Sequence, residues 1–137
     1  MTRWLAVGLI LGVSVLVSCG GPARDLLPWE SGYEAALARA GSEDKPVMID
    51  FYTDWCGWCK KLERETYTDT RVQEALSSFV LVKLNGDREG RKLAANMGVR
   101  GYPTLVFLNP QGQEIGRIPG FMGPEPFLEE LADLRGR

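Results

Sequence analysis

Histidine is absent from the 137 residues of the chain, and cysteine occurs only three times. Without imidazole the chain has no histidine-ligated metal site and no serine–histidine or cysteine–histidine catalytic pair. Its 16 basic and 18 acidic residues give a net charge of −2, and the basic ones are scattered rather than gathered into the stripe typical of nucleic-acid binding. We therefore expect no nucleic-acid partner, and the cysteines are the first candidates for chemistry.

The chain also lacks an apolar run long enough for a comfortable membrane span, which needs about 20 residues. The apolar run at residues 4–17 is interrupted only by Gly8, Gly12 and Ser14, and it follows a single arginine. This length is typical of the hydrophobic region of a secretory signal, about 7–15 residues. We expect residues 1–18 to be a signal peptide that is not part of the folded domain.

The signal ends in LVSC (residues 16–19), which resembles the lipobox of bacterial lipoproteins. The resemblance implies that Cys19 is lipidated and anchors the chain to a membrane of the cell envelope, facing the periplasm or the outer surface. Residues 19–28 would then be the lipidated cysteine and a tether, and residues 29–137 the folded domain. The alternative is an uncleaved signal anchor that happens to contain a cysteine.

Cys56 and Cys59 remain as a pair within DWCGWCK, residues 54–60. The pair follows an apolar segment that predicts a central strand, and we expect a helix to begin inside the motif. Cysteines three residues apart on a helix lie on one face, and the helix N-terminus favours the thiolate of the first. The spacing thus predicts a redox-active nucleophile with its resolving thiol. A static disulfide and half of a zinc site are the alternatives, although two further zinc ligands are missing.

Helices and strands alternate along the rest of the domain. We expect helices over residues 31–40, closed by Gly41, from inside the cysteine motif to 65, over 70–76 and 88–98, and from Pro124 onward, with strands over 46–52, 79–85, 103–109 and 113–118. Thr70 and Gln73 predict a capping box. The polar last strand should lie near an edge, antiparallel to its predecessor because a tight turn joins them. The alternation otherwise indicates parallel pairing with helices on both faces.

Two stretches carry a family resemblance: VMIDFYTDWCGWCK (residues 47–60) and GVRGYPTLVFL (residues 98–108) are similar to the thioredoxin family. A third, ETYTDTRVQEAL (residues 65–76), looks especially like the C-terminal periplasmic domain of the transmembrane thiol:disulfide interchange proteins. The resemblance covers the chain from about residue 45 onward. It implies an α/β, thioredoxin-like fold with a central mixed sheet of about four strands flanked by helices. The opening strand of many thioredoxins is not evident before Ser31.

The resemblance also implies roles for single residues. Cys56 matches the attacking thiol and Cys59 the resolving one. Asp50 matches a buried acid behind the resolving cysteine, where burial should raise its pKa and suit it to move a proton; a solvated strand residue is the alternative. Tyr102–Pro103 matches a cis-proline dipeptide beside the sulfurs, and the alternative is a trans proline that opens an edge strand.

Three more residues are candidates for support. Lys83 matches a lysine that neighbours the acid, although an ordinary surface lysine fits nearly as well. Trp55 matches a tryptophan that shields the pair, or else it packs in the core. Trp58 stands where thioredoxin has proline, so a strongly reducing potential is not carried over. Trp58 is also a candidate for a docking surface, since exposed tryptophans often anchor partners.

The preferred interpretation is a lipid-anchored monomer that reduces protein disulfides as a thiol–disulfide oxidoreductase. It would need no cofactor or metal beyond the Cys56–Cys59 disulfide. Its partners would be protein disulfide or thiol substrates, and a membrane-embedded thiol transporter would re-reduce it. The alternative is a binding or assembly module that holds an apocytochrome or a copper-delivery protein, whose cysteines capture a thiol or metal without turnover.

Overall fold

A computed structural model describes residues 27–135 of the chain. The predicted signal peptide, the predicted lipidation site Cys19 and most of the tether lie outside the described residues. The described elements are β1 (Trp29–Glu30), α1 (Tyr33–Glu43), β2 (Val47–Tyr52), α2 (Gly57–Glu65), α3 (Thr70–Leu76), β3 (Val80–Asn85), α4 (Arg91–Asn96), β4 (Thr104–Leu108), β5 (Glu114–Pro119) and α5 (Pro124–Arg135).

The strands form one mixed sheet in the order β1-β3-β2-β4-β5. β2 lies at the centre, as its apolar sequence predicted, and pairs parallel with β3 and antiparallel with β4. β5 is antiparallel to β4 at the edge, which confirms the prediction from its polar pattern. The α/β class with a mixed sheet and flanking helices is therefore confirmed.

One detail of the predicted sheet is wrong. The expected parallel pairing does not extend to β4, which runs antiparallel to β2. β4 therefore begins at the end of the sheet where β3 stops, and α4 does not carry the chain back to the opposite end. The sheet has five strands where about four were expected, because two residues, Trp29 and Glu30, pair with β3 as a short additional strand.

Several helix ends differ from the prediction: α1 begins at Tyr33 and α4 is shorter at both ends than the predicted 88–98. Gly41 does not close α1, which continues to Glu43 and ends at Asp44 with φ 52° in the left-handed region that aspartate tolerates. The cap of α3 is Asp69 rather than Thr70, because the Asp69 carboxylate accepts the backbone N–H of Arg71. The helices therefore keep their predicted place in the fold with altered ends.

The core has two halves, one on each face of the sheet. Alternation along β2 sends Val47, Ile49 and Phe51 to the face covered by α1 and α4, and sends Met48 to the face covered by α2, α3 and α5. Asp50 is two residues after Met48, so it points to that second face. The fold thereby directs a carboxyl group into an apolar layer beneath α2.

Candidate active site

The cysteine pair lies where the central strand passes into α2. Cys56 is the N-cap residue of α2, with φ −76° and ψ 105°, and Cys59 lies within its first turn. Their sulfurs form a disulfide with the two Cα atoms 5.3 Å apart. The residues Cys56 and Cys59 are only 3% and 4% exposed, so little of the disulfide faces solvent.

The N-terminus of α2 favours negative charge on the Cys56 sulfur. The backbone N–H of Cys59 donates a hydrogen bond to Cys56 Sγ over 3.1 Å. The first turn of α2 contains no acidic residue, so the partial positive charge of the helix end is not offset there. Once the disulfide is reduced, the same N–H group would stabilise a thiolate at Cys56. The geometry therefore fits a nucleophilic sulfur at this position.

Asp50 is buried, with 2% of its surface exposed, which rules out the solvated alternative. The hydroxyl of Tyr67 donates a hydrogen bond to Asp50 Oδ2 over 2.9 Å, whereas Oδ1 has no hydrogen-bond partner among the described residues. Burial raises the pKa of Asp50 to about 6, against the opposing effects of the Lys83 charge and the Tyr67 hydrogen bond. Near neutral pH this carboxyl group is poised to exchange a proton.

Asp50 and Cys59 lie on facing sides of the strand and the helix. Cys59 and Leu62 are one turn apart and both buried, so they share the stripe of α2 that faces the sheet. Leu62 belongs to the same core half as Met48 and Tyr67. The acid, the resolving cysteine and the tyrosine are thus gathered in one buried layer, while the acid's role in proton transfer stays a prediction.

Lys83 is the register partner of Asp50 across the parallel β2–β3 pair. Its ammonium group forms an ion pair with Glu63 and lies 4.8 Å from the ring centre of Tyr52. Only 17% of the Lys83 side chain is exposed, which does not fit an ordinary surface lysine. The positive charge that neighbours the acid therefore belongs to β3 and is held in place by Glu63 of α2 and Tyr52 of β2.

The two tryptophans of the motif are the large hydrophobic side chains that the described part of the chain leaves exposed, Trp55 by 70% and Trp58 by 58%. The core-packing alternative for Trp55 is therefore wrong. Its indole N–H donates to Asp87 over 2.7 Å, and its ring meets Tyr102 edge-on at 6.2 Å. Trp55 thus connects the cysteine motif to two other loops.

Trp58 forms a separate surface on the other side of the motif. Its ring lies 5.8 Å from that of Phe121, and the Lys61 ammonium group lies 5.2 Å and 4.5 Å from the two ring centres. We call Trp58, Lys61 and Phe121 the aromatic–lysine patch. Aromatic rings near the protein surface with a lysine ammonium group beside them are suited to contact a partner.

The Tyr102–Pro103 peptide bond is cis, so the trans alternative is wrong. Tyr102 approaches Gly86 so closely that a Cβ atom at position 86 would overlap its ring. A groove of about 300 Å³ lies beside Pro103, lined also by Gly120 and Arg117. Gly86 and Trp55 thus both contact Tyr102 and help to hold the cis-proline loop in place.

Sequence reasoning missed several contributors, among them Tyr67, Glu63, Gly86 and Phe121. Glu63 could have been found, because it lies four residues after Cys59 on the same helix. Tyr67, Gly86 and Phe121 reach the site only through contacts between separate elements, for which the sequence carries no local signal. Among residues 27–135, no group of three or more histidine, cysteine, aspartate or glutamate residues is arranged to hold a metal ion.

Comparisons with known proteins agree with this geometry. Residues 33–135 match the family described as Thioredoxin-like domain. The thiol:disulfide interchange protein DsbD of Salmonella typhimurium is 43% identical over 105 residues, which are 73% of this chain and 18% of that protein. The chain therefore spans about a fifth of the length of this relative. No helix within the described residues has the length and apolar character needed to cross a membrane.

Solved structures of thioredoxin-like proteins superimpose on this chain. A thioredoxin from Thermus thermophilus superimposes with a TM-score of 0.70 at 33% identity, over 75% of this chain and 83% of that one. The reduced C-terminal domain of Neisseria meningitidis DsbD gives a TM-score of 0.63 at 29% identity, over 74% and 93%. The cysteine pair and these relatives identify the chain as a thiol–disulfide oxidoreductase. The chain belongs to the thioredoxin-like domain family.

Proposed function

We propose that the chain is a membrane-anchored, extracytoplasmic thiol–disulfide oxidoreductase that reduces protein disulfides with the Cys56/Cys59 dithiol. The observation that carries the proposal is the placement of the pair: a disulfide joins the N-cap of α2 to its first turn, with a backbone N–H group directed at Cys56 Sγ. This arrangement supplies a stabilised thiolate and a second thiol within bonding distance, which together are what disulfide exchange requires.

The proposed cycle has two exchange steps. The Cys56 thiolate attacks one sulfur of the substrate disulfide, the substrate S–S bond breaks, and the other substrate sulfur leaves as a thiolate. Cys59 then gives its proton to Asp50 and attacks Cys56 Sγ, which breaks the mixed disulfide and releases the second substrate sulfur. The substrate gains two electrons and the protein is left with the Cys56–Cys59 disulfide.

The direction and the location rest on the likeness to the interchange proteins. That likeness supports reduction of substrates and re-reduction by a membrane-embedded thiol transporter, and the signal-like sequence of residues 1–18 supports a location outside the cytoplasm, where disulfides persist. In this proposal residues 1–18 are a signal peptide, Cys19 carries the lipid, the tether ends at residue 28, and the domain works as a monomer. Lys83, Trp55 and the Tyr102–Pro103 loop support the site.

A turnover assay tests the enzymatic part. The wild type should catalyse reduction of a protein disulfide by dithiothreitol, and Cys56→Ser should abolish catalysis because the attacking sulfur is missing. Stoichiometric capture of a partner without turnover would instead support a binding or assembly module.

In cells, Cys59→Ser should accumulate mixed disulfides with substrates, since the resolving thiol is gone; recovery of no partner beyond background would contradict the exchange role.

Membrane fractionation tests the anchor. Cys19→Ala removes the proposed lipidation site and should move the domain from the membrane to the soluble fraction. The matched control is Cys56→Ser, which leaves the anchor intact and should stay with the membrane. Unchanged membrane retention of the Cys19→Ala variant would remove the lipidation proposal without affecting the proposed chemistry of the pair.

A further inference from the structure

We propose that Tyr67 is a positioning residue for the redox pair: its hydroxyl holds Asp50 by one carboxyl oxygen and keeps the other oxygen available to take the proton of Cys59. The inference rests on the proposed function, since it concerns the resolving step. It assigns a task to a buried tyrosine that is outside the cysteine motif and the cis-proline loop.

Tyr67 is held by contacts of its backbone and of its ring. The residue is 5% exposed and follows α2 directly. Its backbone N–H donates to Leu62 O over 3.0 Å, and its own carbonyl accepts from the Gln73 side chain over 2.8 Å. Its ring packs at 5.7 Å from Trp29 and 6.3 Å from Phe127. The hydroxyl group therefore points in a set direction.

The two oxygens of Asp50 differ in their surroundings. Oδ2 accepts the Tyr67 hydroxyl over 2.9 Å, whereas Oδ1 is buried without a hydrogen-bond partner among the described residues. A buried polar atom without a partner is costly, and such atoms call for an explanation. A proton delivered to Oδ1 during the cycle supplies that explanation. Without Tyr67, the carboxyl group could rotate about its broad terminal torsion.

The other neighbours of Asp50 do not replace this hydrogen bond. From β3 comes the positive charge of Lys83, and from α2 the negative charge of Glu63 with which it pairs. From β4 comes the register partner Leu105, which is apolar. Tyr67 is thus the side chain that the described structure places in hydrogen-bond contact with the carboxyl group.

Removal of the Tyr67 hydroxyl should raise the pKa of Asp50. The hydrogen bond from Tyr67 stabilises the ionised carboxylate and so lowers the pKa of Asp50, which burial has raised to about 6. In Tyr67→Phe that pKa should rise by about one pH unit. Because Cys59 must pass its proton to an ionised Asp50 before it attacks Cys56 Sγ, the resolving step should then need a higher pH.

The test compares Tyr67→Phe with Tyr33→Phe, which removes the same hydroxyl group on the opposite face of the sheet. The first readout is the titration of the Asp50 carboxyl carbon by NMR in the oxidised protein, where neither cysteine titrates. The expected midpoint rises by about one pH unit in Tyr67→Phe and stays unchanged in Tyr33→Phe. This readout does not depend on whether the protein turns over any substrate.

The second readout is the pH profile of turnover. Tyr67→Phe should be about fivefold slower than the wild type at pH 6 and within about 1.1-fold at pH 8, as the ionised fraction of Asp50 recovers. An unmoved Asp50 midpoint, or an equal deficit at both pH values, would overturn the inference while wild-type turnover still supports the proposed function. Absence of wild-type turnover would instead contradict the proposed function, whatever the titration gives.

A third measurement applies if Tyr67→Phe does not fold. In the wild type the hydroxyl proton of Tyr67 should exchange slowly with solvent and give its own NMR signal, because it is buried and bonded to Asp50. A hydroxyl proton that exchanges as fast as those of exposed tyrosines would overturn the inference.

Discussion

Substitution of Asp50 by asparagine should change the stability of the oxidised protein in a manner that depends on pH, and the variant should gain stability relative to the wild type as the pH rises. Desolvation raises the folded-state pKa of Asp50 to about 6, from 3.8 in the absence of the fold. Below pH 3.8 the carboxyl group is protonated in both the folded and the unfolded chain, so it has no net effect. Between the two values the folded chain holds a proton that the unfolded chain has lost, and the free energy of unfolding falls as pH rises.

The magnitude follows from the size of that interval. Each pH unit is worth about 1.4 kcal/mol, so the ionised Asp50 lowers the wild-type free energy of unfolding by about 3 kcal/mol once the pH exceeds 6. Asparagine has no proton to lose and avoids this penalty. Its amide group loses about 1–2 kcal/mol if it has no partner at the Oδ1 position, but that loss is the same at every pH.

The assay is urea unfolding of the wild type and Asp50→Asn at several pH values from 3.5 to 7.5, with the disulfide intact. The stability of the variant relative to the wild type should rise by about 3 kcal/mol across this range, mostly between pH 4 and 6. Asp44→Asn, which makes the same chemical change on an exposed cap that tolerates asparagine, controls for the substitution. A relative stability that does not vary with pH would refute the argument that Asp50 is desolvated.

Two further predictions concern the surroundings of the sulfurs. Gly86→Ala places a Cβ atom against the Tyr102 ring; it should lower the free energy of unfolding in urea by about 1–3 kcal/mol through overpacking and reduce turnover because the Tyr102–Pro103 loop shifts. Unchanged stability and turnover would contradict this account of the loop. The stability control is Gly57→Ala, where the added atom meets open space. Trp58→Ala removes a ring of the aromatic–lysine patch, so it should raise KM about fivefold to tenfold for a protein disulfide and leave turnover of a small disulfide unchanged. An equal effect on both substrates would show that Trp58 is not a docking residue.

The sequence predicts those parts of the fold that depend on local patterns. The apolar run of β2, the helix that begins at the cysteine pair and the polar edge strand β5 all follow from residue spacing within one element. β1 was missed because two residues carry no periodicity. The end of α1 was misplaced because Asp44 adopts a left-handed conformation that sequence rules assign first to glycine, here Gly41.

In the candidate site, too, the sequence predicts what lies within one segment and misses contacts between segments. The cysteine pair lies on one continuous segment, so its chemistry follows from three-residue spacing. The contact between Tyr67 and Asp50 depends on how α2 and the turn after it pack against the face of β2, and no pattern within either segment encodes it. Trp58 and Phe121, like Gly86 and Tyr102, meet only after the whole sheet is assembled.

The most direct test of the central claim is the pKa of the Cys56 thiol. Alkylation rates of the double variant Cys19→Ala, Cys59→Ala, measured against pH, report this thiol alone, and the Cys59 substitution keeps the backbone N–H that donates to Cys56 Sγ. The account predicts a midpoint at least about one pH unit below the 8.5 of an ordinary cysteine. A midpoint at or above 8.5 would contradict a stabilised thiolate at the start of α2, and with it the proposed exchange chemistry.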